Sequence, residues 1–220
     1  NLIEAVEAAG IAVDDTVPMP LAASAAVLTR AQRAAGVVLA NIGSETVSIA
    51  VFENAMPVSL EVFPVGGVHM TNDIALGLRI PLEEAESVKR GAIIGTAFPQ
   101  RKLDDIIAAR LGDIFELIEG HLKKIGRSGL LPAGVVLTGG GSHLATIDDL
   151  AKAALRLPAR VAGAIIGEDG KNQIKDASWS VAFGLALLGL SDETHTFSFG
   201  LATARRGART VSDWFRQFLP

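Results

Sequence analysis

Two glycine-rich stretches decide the fold, GVVLANIGSETVSIAV at residues 36–51 and GVVLTGGGSHL at residues 134–144. Each begins with an apolar run typical of a buried strand and continues into a turn of Gly, Ser and Thr. Because glycine has no Cβ, such a turn lets backbone N–H groups approach a phosphate closely. Two turns of this kind, each after a strand, predict a nucleotide held by both.

The composition limits the possible classes of protein. A chain of 220 residues, 49% hydrophobic and 20% charged, suits one large or two small globular domains. Without cysteine it has no disulfide and no thiolate site. Its net charge is −4, and its Lys and Arg residues lack interleaved aromatic residues, so we expect no nucleic-acid partner. The start at Asn1 and the lack of a signal-peptide pattern predict a piece of a longer protein.

Alternating strand and helix patterns predict an α/β architecture. Thr146 and Asp149 stand at capping distance, which predicts a helix start at Thr146. A loop is expected at 163–175. The predicted strands are 37–41, 47–52, 58–63, 134–138 and an edge strand at 159–162. The predicted helices are 1–9, 21–35, 70–78, 82–89, 102–126, 146–156 and a buried helix at 178–190.

Residues 65–89, VGGVHMTNDIALGLRIPLEEAESVK, resemble a segment of the bacterial actin-like cell-division protein family FtsA. The order of strand, turn, hairpin, this segment, long helix and VVLTGGGS also matches that family, over about residues 1–190. The resemblance implies an actin-like (ribonuclease H-like) sheet with flanking helices and an inserted, mostly helical subdomain. The implied domains are connecting helices at 1–35, subdomain 2A at 36–64 and 131–190, subdomain 2B at 65–130, a linker at 191–209 and an amphipathic membrane-targeting helix at 210–220.

The resemblance implies ATP with Mg²⁺ as the cofactor. Glu86 and Lys89 share a helix face because they are three residues apart, and they are expected near the ribose and adenine. A solvated ion pair on that helix and a plain tight turn at 139–142 are the structural alternatives. The complete expected set is Asn41, Gly43, Ser44, Glu45, Thr46, Glu86, Lys89, Gly139, Gly140, Gly141 and Ser142.

The first turn departs from the superfamily pattern at two positions. Asn41 stands where an aspartate is usual, so it can hydrogen-bond a water molecule but lacks the charge that attracts Mg²⁺. Glu45 adds a negative charge to the turn. At an effective dielectric constant near 20, this charge would repel a phosphate by about 3 kcal/mol unless the side chain points away. We therefore expect at most a weak ATPase.

The four histidines, His69, His121, His143 and His195, show no metal-ligand spacing. No Ser–His–Asp arrangement is visible in the sequence either. Each histidine is therefore expected to have a structural or surface role, and neither a metal site nor a catalytic residue is predicted.

The resemblance also implies partners. Arg110 on the long helix matches a family position that meets the acidic C-terminal tail of the tubulin-like protein FtsZ, although an exposed arginine equally suits a solvated face. Self-association into a filament is implied as well. The expected role is an ATP-binding scaffold that tethers the FtsZ ring to the cytoplasmic face of the membrane at the division site.

Residues 210–220 have an amphipathic helical pattern preceded by a basic run, which is typical of a segment that binds an anionic membrane surface. A helix that docks back onto the body is the alternative. The apolar face consists of Val211, Trp214, Phe215, Phe218 and Leu219. Two other functions fit the fold: an actin-like protein of type IV pilus assembly, and half of a sugar kinase of the same superfamily.

Overall fold

The computed structural model describes residues 1–92, 99–166, 172–174 and 176–190. The chain divides into two compact units, Asn1–Leu187 and Leu188–Pro220. Only residues 188–190 of the second unit are described. The expected linker at 191–209 and membrane helix at 210–220 therefore lie outside the described residues.

The first unit alternates strands and helices, so the α/β class predicted from the sequence is confirmed. The strands are β1 (Val37–Ile42), β2 (Val47–Glu53), β3 (Met56–Phe63), β4 (Val135–Thr138), β5 (Ala159–Val161), β6 (Ala164–Ile166) and β7 (Asn172–Ile174). The helices are α1 (Leu2–Ala8), α2 (Met19–Val27), α3 (Arg30–Ala35), α4 (Gly67–Leu78), α5 (Leu82–Lys89), α6 (Gln100–Lys124), α7 (Ile147–Leu155) and α8 (Ser180–Leu190). Two 3-10 turns, Gly140–His143 and Ala177–Trp179, precede α7 and α8.

Five strands form a mixed sheet in the order β3-β2-β1-β4-β5. The first three strands pair antiparallel, whereas β1, β4 and β5 pair parallel. Because Asn41 is aligned with Thr138, the carboxyl ends of β1 and β4 lie side by side. The two glycine-rich turns that follow these strands are thereby brought to the same edge of the sheet.

Both faces of the central strands are covered, so every residue of β1 and β4 is buried. Helices α6 and α7 cover one face, α6 through Leu111 and Phe115 and α7 through Ile147. Helix α2 packs on the other face against β1 and β2. Helices α4, α5 and α6 share a smaller cluster of their own, consisting of Ile74, Ala85, Val88 and Leu103.

Several predicted elements are wrong. Residues 21–35 form two helices, because the side chains and backbone N–H groups of Thr29 and Gln32 cap each other and start α3. Thr146 is the N-cap residue of α7, as expected, but its side chain makes no capping hydrogen bond: its φ is +62° and its hydroxyl donates to the carbonyl of Ala145. The expected loop at 163–175 contains the β6–β7 hairpin. Helix α8 is not a buried helix, since Leu185 is 44% exposed.

Candidate functional site

A cavity of about 550 Å³ opens where the two glycine-rich turns meet. The turn after β1, the first turns of α4, the end of α5 and the 3-10 turn Gly140–His143 form its walls. Six of the eleven residues expected to bind the nucleotide line it: Gly43, Ser44, Glu86, Lys89, Gly140 and Gly141. The other five do not: Asn41, Glu45, Thr46, Gly139 and Ser142.

The turn after β1 is fixed by its own backbone and by α4. Gly43 N–H donates to the carbonyl of Thr46 at 2.9 Å, and Gly67 N–H donates to the carbonyl of Gly43 at 2.9 Å. Val68 N–H donates to the carbonyl of Ser44 at 2.8 Å. Within the described residues, the N–H groups of Ser44 and Glu45 donate to no protein group. This fixed turn thus keeps two backbone donors free for an anion.

Glycine is required where α4 meets this turn. A Cβ on Gly66 would lie 2.6 Å from the carbonyl oxygen of Ser44 and 2.8 Å from that of Gly43. Gly66 is the N-cap residue of α4, and Gly67 is the first residue of the helix. The helix thus begins three residues before the expected start at Met70.

Asn41 and Glu45, the two unusual turn residues, lie outside the cavity wall. Asn41 is only 7% exposed and lies under the second turn. A Cβ on Gly139, whose φ is +89°, would be 2.5 Å from Asn41 Oδ1. Glu45 is exposed on the rim of the first turn, so its carboxylate is not part of the lining.

Lys89 stands at the centre of a polar network in the cavity wall. Its ammonium donates to Glu86 Oε2 at 2.5 Å, to Thr71 Oγ1 at 2.9 Å and to the carbonyl of Gly67 at 3.1 Å. Arg90 donates to the other oxygen of Glu86 at 2.9 Å. Burial alone would raise the pKa of Glu86, but the hydrogen bonds from Lys89, Thr71 and Arg90 hold it below its ordinary value. The lysine thus joins α5 to the start of α4, next to the first turn.

The second turn packs directly on Ile42 at the end of β1. A Cβ on Gly141 would lie 2.4 Å from Ile42 Cγ2, whereas one on Gly140 would meet nothing within 4 Å. Ser142 is 1% exposed and its hydroxyl donates to the carbonyl of Gly139 at 2.7 Å. Gly140 therefore presents bare backbone to the cavity, while Ser142 holds the turn together from below.

Several lining residues were not expected from the sequence, and three of them form a polar cluster: His143, Asp176 and Ser178. His143 Nε2 lies 3.0 Å from Asp176 Oδ1. Hydrogen bonds from the hydroxyl and the backbone N–H of Ser178, and from His143, lower the pKa of Asp176 to about 2. The expectation of a mere structural or surface role for His143 overlooked this placement. The placement of His143 depends on its contact with Asp176, 33 residues away in the sequence, and no local sequence pattern indicates such a contact.

Arg110 lies outside the cavity and is engaged with the protein. Its guanidinium donates to both carboxylate oxygens of Asp73, at 2.7 and 3.0 Å, and to Asp113 at 3.2 Å. The side chain is 27% exposed. The hydrogen bond to Asp73 raises the pKa of Arg110. The sequence interpretation took Arg110 as an exposed arginine, but the side chain is only partly exposed and ties α6 to α4.

The structure also contains a serine, a histidine and an acid in contact, which sequence spacing alone did not reveal. His121 Nε2 lies 2.8 Å from Ser59 Oγ, and its Nδ1 lies 3.3 Å from Glu61 Oε2. None of the three lines the cavity. Because His121 is only 9% exposed and stacks edge-on against Phe63, the trio fastens the edge strand β3 to α6.

Two features are absent from the part of the chain that the structure describes. No group of three or more His, Cys, Asp or Glu side chains is arranged to hold a metal ion. No described helix is both long enough and apolar enough to cross a bilayer.

The fold is that of actin-like proteins. The chain resembles the PilM–PilN type IV pilus biogenesis complex with a TM-score of 0.67 at 23% identity, covering 87% of this chain and 57% of that one. It resembles MreB5 of Spiroplasma citri bound to ADP with a TM-score of 0.69 at 17% identity, covering 85% and 63%. These neighbours confirm the expected actin-like α/β fold.

The sequence identifies the family within that fold. Residues 38–184 match the family model described as cell division protein FtsA. The FtsA of Bacillus subtilis (strain 168) is 37% identical over 183 residues, which are 74% of this chain and 41% of that protein. The FtsA of Pseudomonas aeruginosa is 29% identical over 92% of this chain and 54% of its own length. The chain belongs to the FtsA family, and it spans about half the length of these relatives.

Proposed function

We propose that the full-length protein binds ATP in the cavity between the two glycine-rich turns. The phosphates lie against the N–H group of Ser44, and the base lies against the bare backbone at Gly140. Glu86 and Lys89 lie between these ends and contact the ribose. The free backbone donor of Ser44 in the lining of a cavity of about 550 Å³ is the observation that carries this proposal. A neighbour of the same fold is described as bound to ADP, which supports it.

In this proposal Mg²⁺ is bound mainly by the phosphates of the nucleotide. The described residues offer no cluster of acidic side chains for a metal, and the buried Asn41 supplies an amide instead of a carboxylate. Mg²⁺ commonly keeps several waters and binds substrate phosphates with few protein ligands, so such a site is compatible with an ion held mainly by phosphate. When bound, the ion would neutralise phosphate charge.

Weak hydrolysis follows from the same residues. The first turn contributes no carboxylate to the cavity lining, because Asn41 is a neutral, buried amide and Glu45 is not a lining residue. We expect Asn41→Asp to raise ATP turnover in the full-length protein. Glu45→Gly should have little effect by itself. Equal turnover of wild type and Asn41→Asp would show that this position does not limit hydrolysis.

Gly140→Asp tests the binding site. A Cβ there meets no atom within 4 Å, so the fold should tolerate the change. The aspartate side chain would occupy the space proposed for the base, so binding should weaken by roughly a hundredfold, which corresponds to about 3 kcal/mol. Gly112→Asp on α6, which also meets nothing within 4 Å, is the matched control. Isothermal titration with ATP should separate the two variants; equal affinity in both would refute the site.

We further propose that the protein polymerises and connects the FtsZ ring to the membrane at the division site. Membership of the FtsA family and the actin-like fold support this role. Negative-stain microscopy of the full-length protein with ATP should show filaments. Their absence over a range of protein and nucleotide concentrations would count against polymerisation.

Arg110 is the proposed contact for the acidic FtsZ tail. The tail carboxylates would share or replace the bonds that Arg110 makes with Asp73 and Asp113. Arg110→Glu should therefore weaken binding of the tail peptide, while Arg101→Glu, an exposed arginine at the start of α6, should not. If both variants bind the peptide as the wild type does, Arg110 is not the contact.

Membrane attachment is proposed for residues 210–220, which lie outside the described residues. The apolar face and upstream basic residues of this segment support it. Co-sedimentation with anionic liposomes should require the segment. If the truncated protein pellets as well as the complete one, another part of the protein anchors it.

A further inference from the structure

One end of the cavity carries a polar cluster that the proposed phosphate contacts do not use. His143, Asp176 and Ser178 line the cavity together, beside Gly140 and Gly141. The carbonyl of Ala177 accepts from Gly139 N–H at 3.1 Å, which holds the turn before α8 against the second glycine-rich turn. The cluster is thus built on two backbone segments that are bonded to each other.

One carboxylate oxygen of Asp176 is saturated and the other is free. Oδ1 accepts from Ser178 N–H at 2.9 Å, from Ser178 Oγ at 2.6 Å and from His143 at 3.0 Å. Oδ2 has no partner among the residues that the structure describes. The side chain is 52% exposed, so Oδ2 is accessible. Asp176 therefore offers one fixed hydrogen-bond acceptor and no donor.

This negative charge distinguishes the two ends of the cavity. A carboxylate repels phosphate oxygens, whereas the free N–H group of Ser44 attracts them. A nucleotide in the cavity therefore places its phosphates at the first turn and its base at the Asp176 end. Hydrogen bonds from Ser178 and His143 keep Asp176 ionised, since its pKa is about 2.

His143 gives this end a flat surface. Its ring is 50% exposed and lines the cavity. Because Asp176 is an anionic acceptor, Nε2 of the ring carries the proton that joins them, and this bond fixes the plane of the imidazole. An imidazole ring held in this way suits stacking against a nucleobase.

We propose that His143 and Asp176 select the base of the nucleotide: the imidazole stacks on the base, and Asp176 Oδ2 accepts a hydrogen bond from the exocyclic amino group of adenine. The inference rests on the proposed nucleotide site. A hypoxanthine base has a carbonyl oxygen in place of that amino group. Two acceptors would then face each other, and a site built around a hydrogen bond discriminates strongly against such an analogue.

The test compares ATP with ITP, which carries hypoxanthine, in binding titrations of the full-length protein. The wild type should prefer ATP by about tenfold or more, as expected for a hydrogen bond to a charged acceptor. Asp176→Asn can keep one oxygen for His143 and Ser178 but turns the free acceptor into a donor. The preference of this variant for ATP over ITP should therefore be at least about tenfold smaller than that of the wild type, or reversed. Asp148→Asn on α7, outside the cavity lining, should leave the preference unchanged.

His143 is tested separately, by variants that keep or remove the flat ring. His143→Phe should retain ATP affinity within roughly threefold, whereas His143→Ala should weaken ATP and ITP together by about tenfold, as for loss of a stacking partner.

The outcomes separate this inference from the proposed function. Equal affinity of the wild type for ATP and ITP would overturn base selection while leaving the nucleotide site in place. An unchanged preference in Asp176→Asn, or an equal loss of both nucleotides, would also overturn it. If the wild type binds neither nucleotide, the proposed site fails, and the inference fails with it.

Discussion

Replacement of Lys89 by methionine should destabilise the protein measurably, because this ammonium is the most heavily bonded cation of the cavity wall. The side chain is 13% exposed and donates to three oxygens within 3.1 Å. Methionine keeps the aliphatic stem but leaves Glu86 with only Thr71 and Arg90. Breaking a buried ion pair costs about 3–5 kcal/mol. Because Glu86 is 37% exposed and water can solvate it, we expect about 2 kcal/mol.

Urea unfolding measures this loss directly, as a lower midpoint with an unchanged slope. Lys152→Met is the matched control, since Lys152 pairs with Asp148 and Asp149 on an exposed face and should shift the midpoint much less. If the two variants shift the midpoint equally, the network around Lys89 does not stabilise the fold as we infer.

The effect of Lys89→Met should also depend on pH. The pKa of Glu86 in the folded protein lies below its ordinary value of 4.5, so its contribution is complete above that pH. The contribution is lost as the pH falls through the lowered folded pKa, because the protonated carboxyl no longer pairs with the ammonium. The stability difference between wild type and variant should therefore narrow below pH 4.5. A difference that stays constant down to pH 3, about one and a half units lower, would contradict this assignment.

Two further changes test the packing by the same urea assay. Gly184→Ala should destabilise by about 2 kcal/mol or more, because its Cβ would lie within 2 Å of the carbonyl oxygen of Ala22 on α2. Gly112→Ala, in open space on α6, should instead stabilise by up to about 1 kcal/mol, and similar effects of the two changes would contradict the close helix contact. His121→Phe keeps a ring against Phe63 but loses both polar contacts to β3. It should cost about 1–2 kcal/mol, and a neutral result would show that these contacts do not hold the edge strand.

Local patterns predicted the central elements well. The apolar runs before each glycine-rich turn are the strands β1 and β4, and the apolar stripe of the long helix packs on the sheet. Such elements are predictable because burial on a sheet face imposes a regular spacing of apolar residues. The sequence also predicted a turn after each of these strands, and the parallel pairing of β1 with β4 brings the two turns to the same edge of the sheet.

The failures arise where a few specific contacts override a pattern. Residues 21–35 read as one Ala-rich helix, but the cap at Thr29 divides them. The β6–β7 hairpin has only three residues in each strand, too few for a clear alternation. Arg110 pairs with Asp73 across 37 residues. The sequence spacing does not show such long-range contacts, and the cluster at Asp176 was missed for the same reason.

The central claim is that one nucleotide lies between the two glycine-rich turns, and a crystal structure of the full-length protein with magnesium ADP tests it most directly. We predict phosphate oxygens within hydrogen-bonding distance of the N–H group of Ser44, and the base beside Gly140 and His143. A nucleotide bound elsewhere on the protein, or in the cavity with its phosphates at the Asp176 end, would contradict the account.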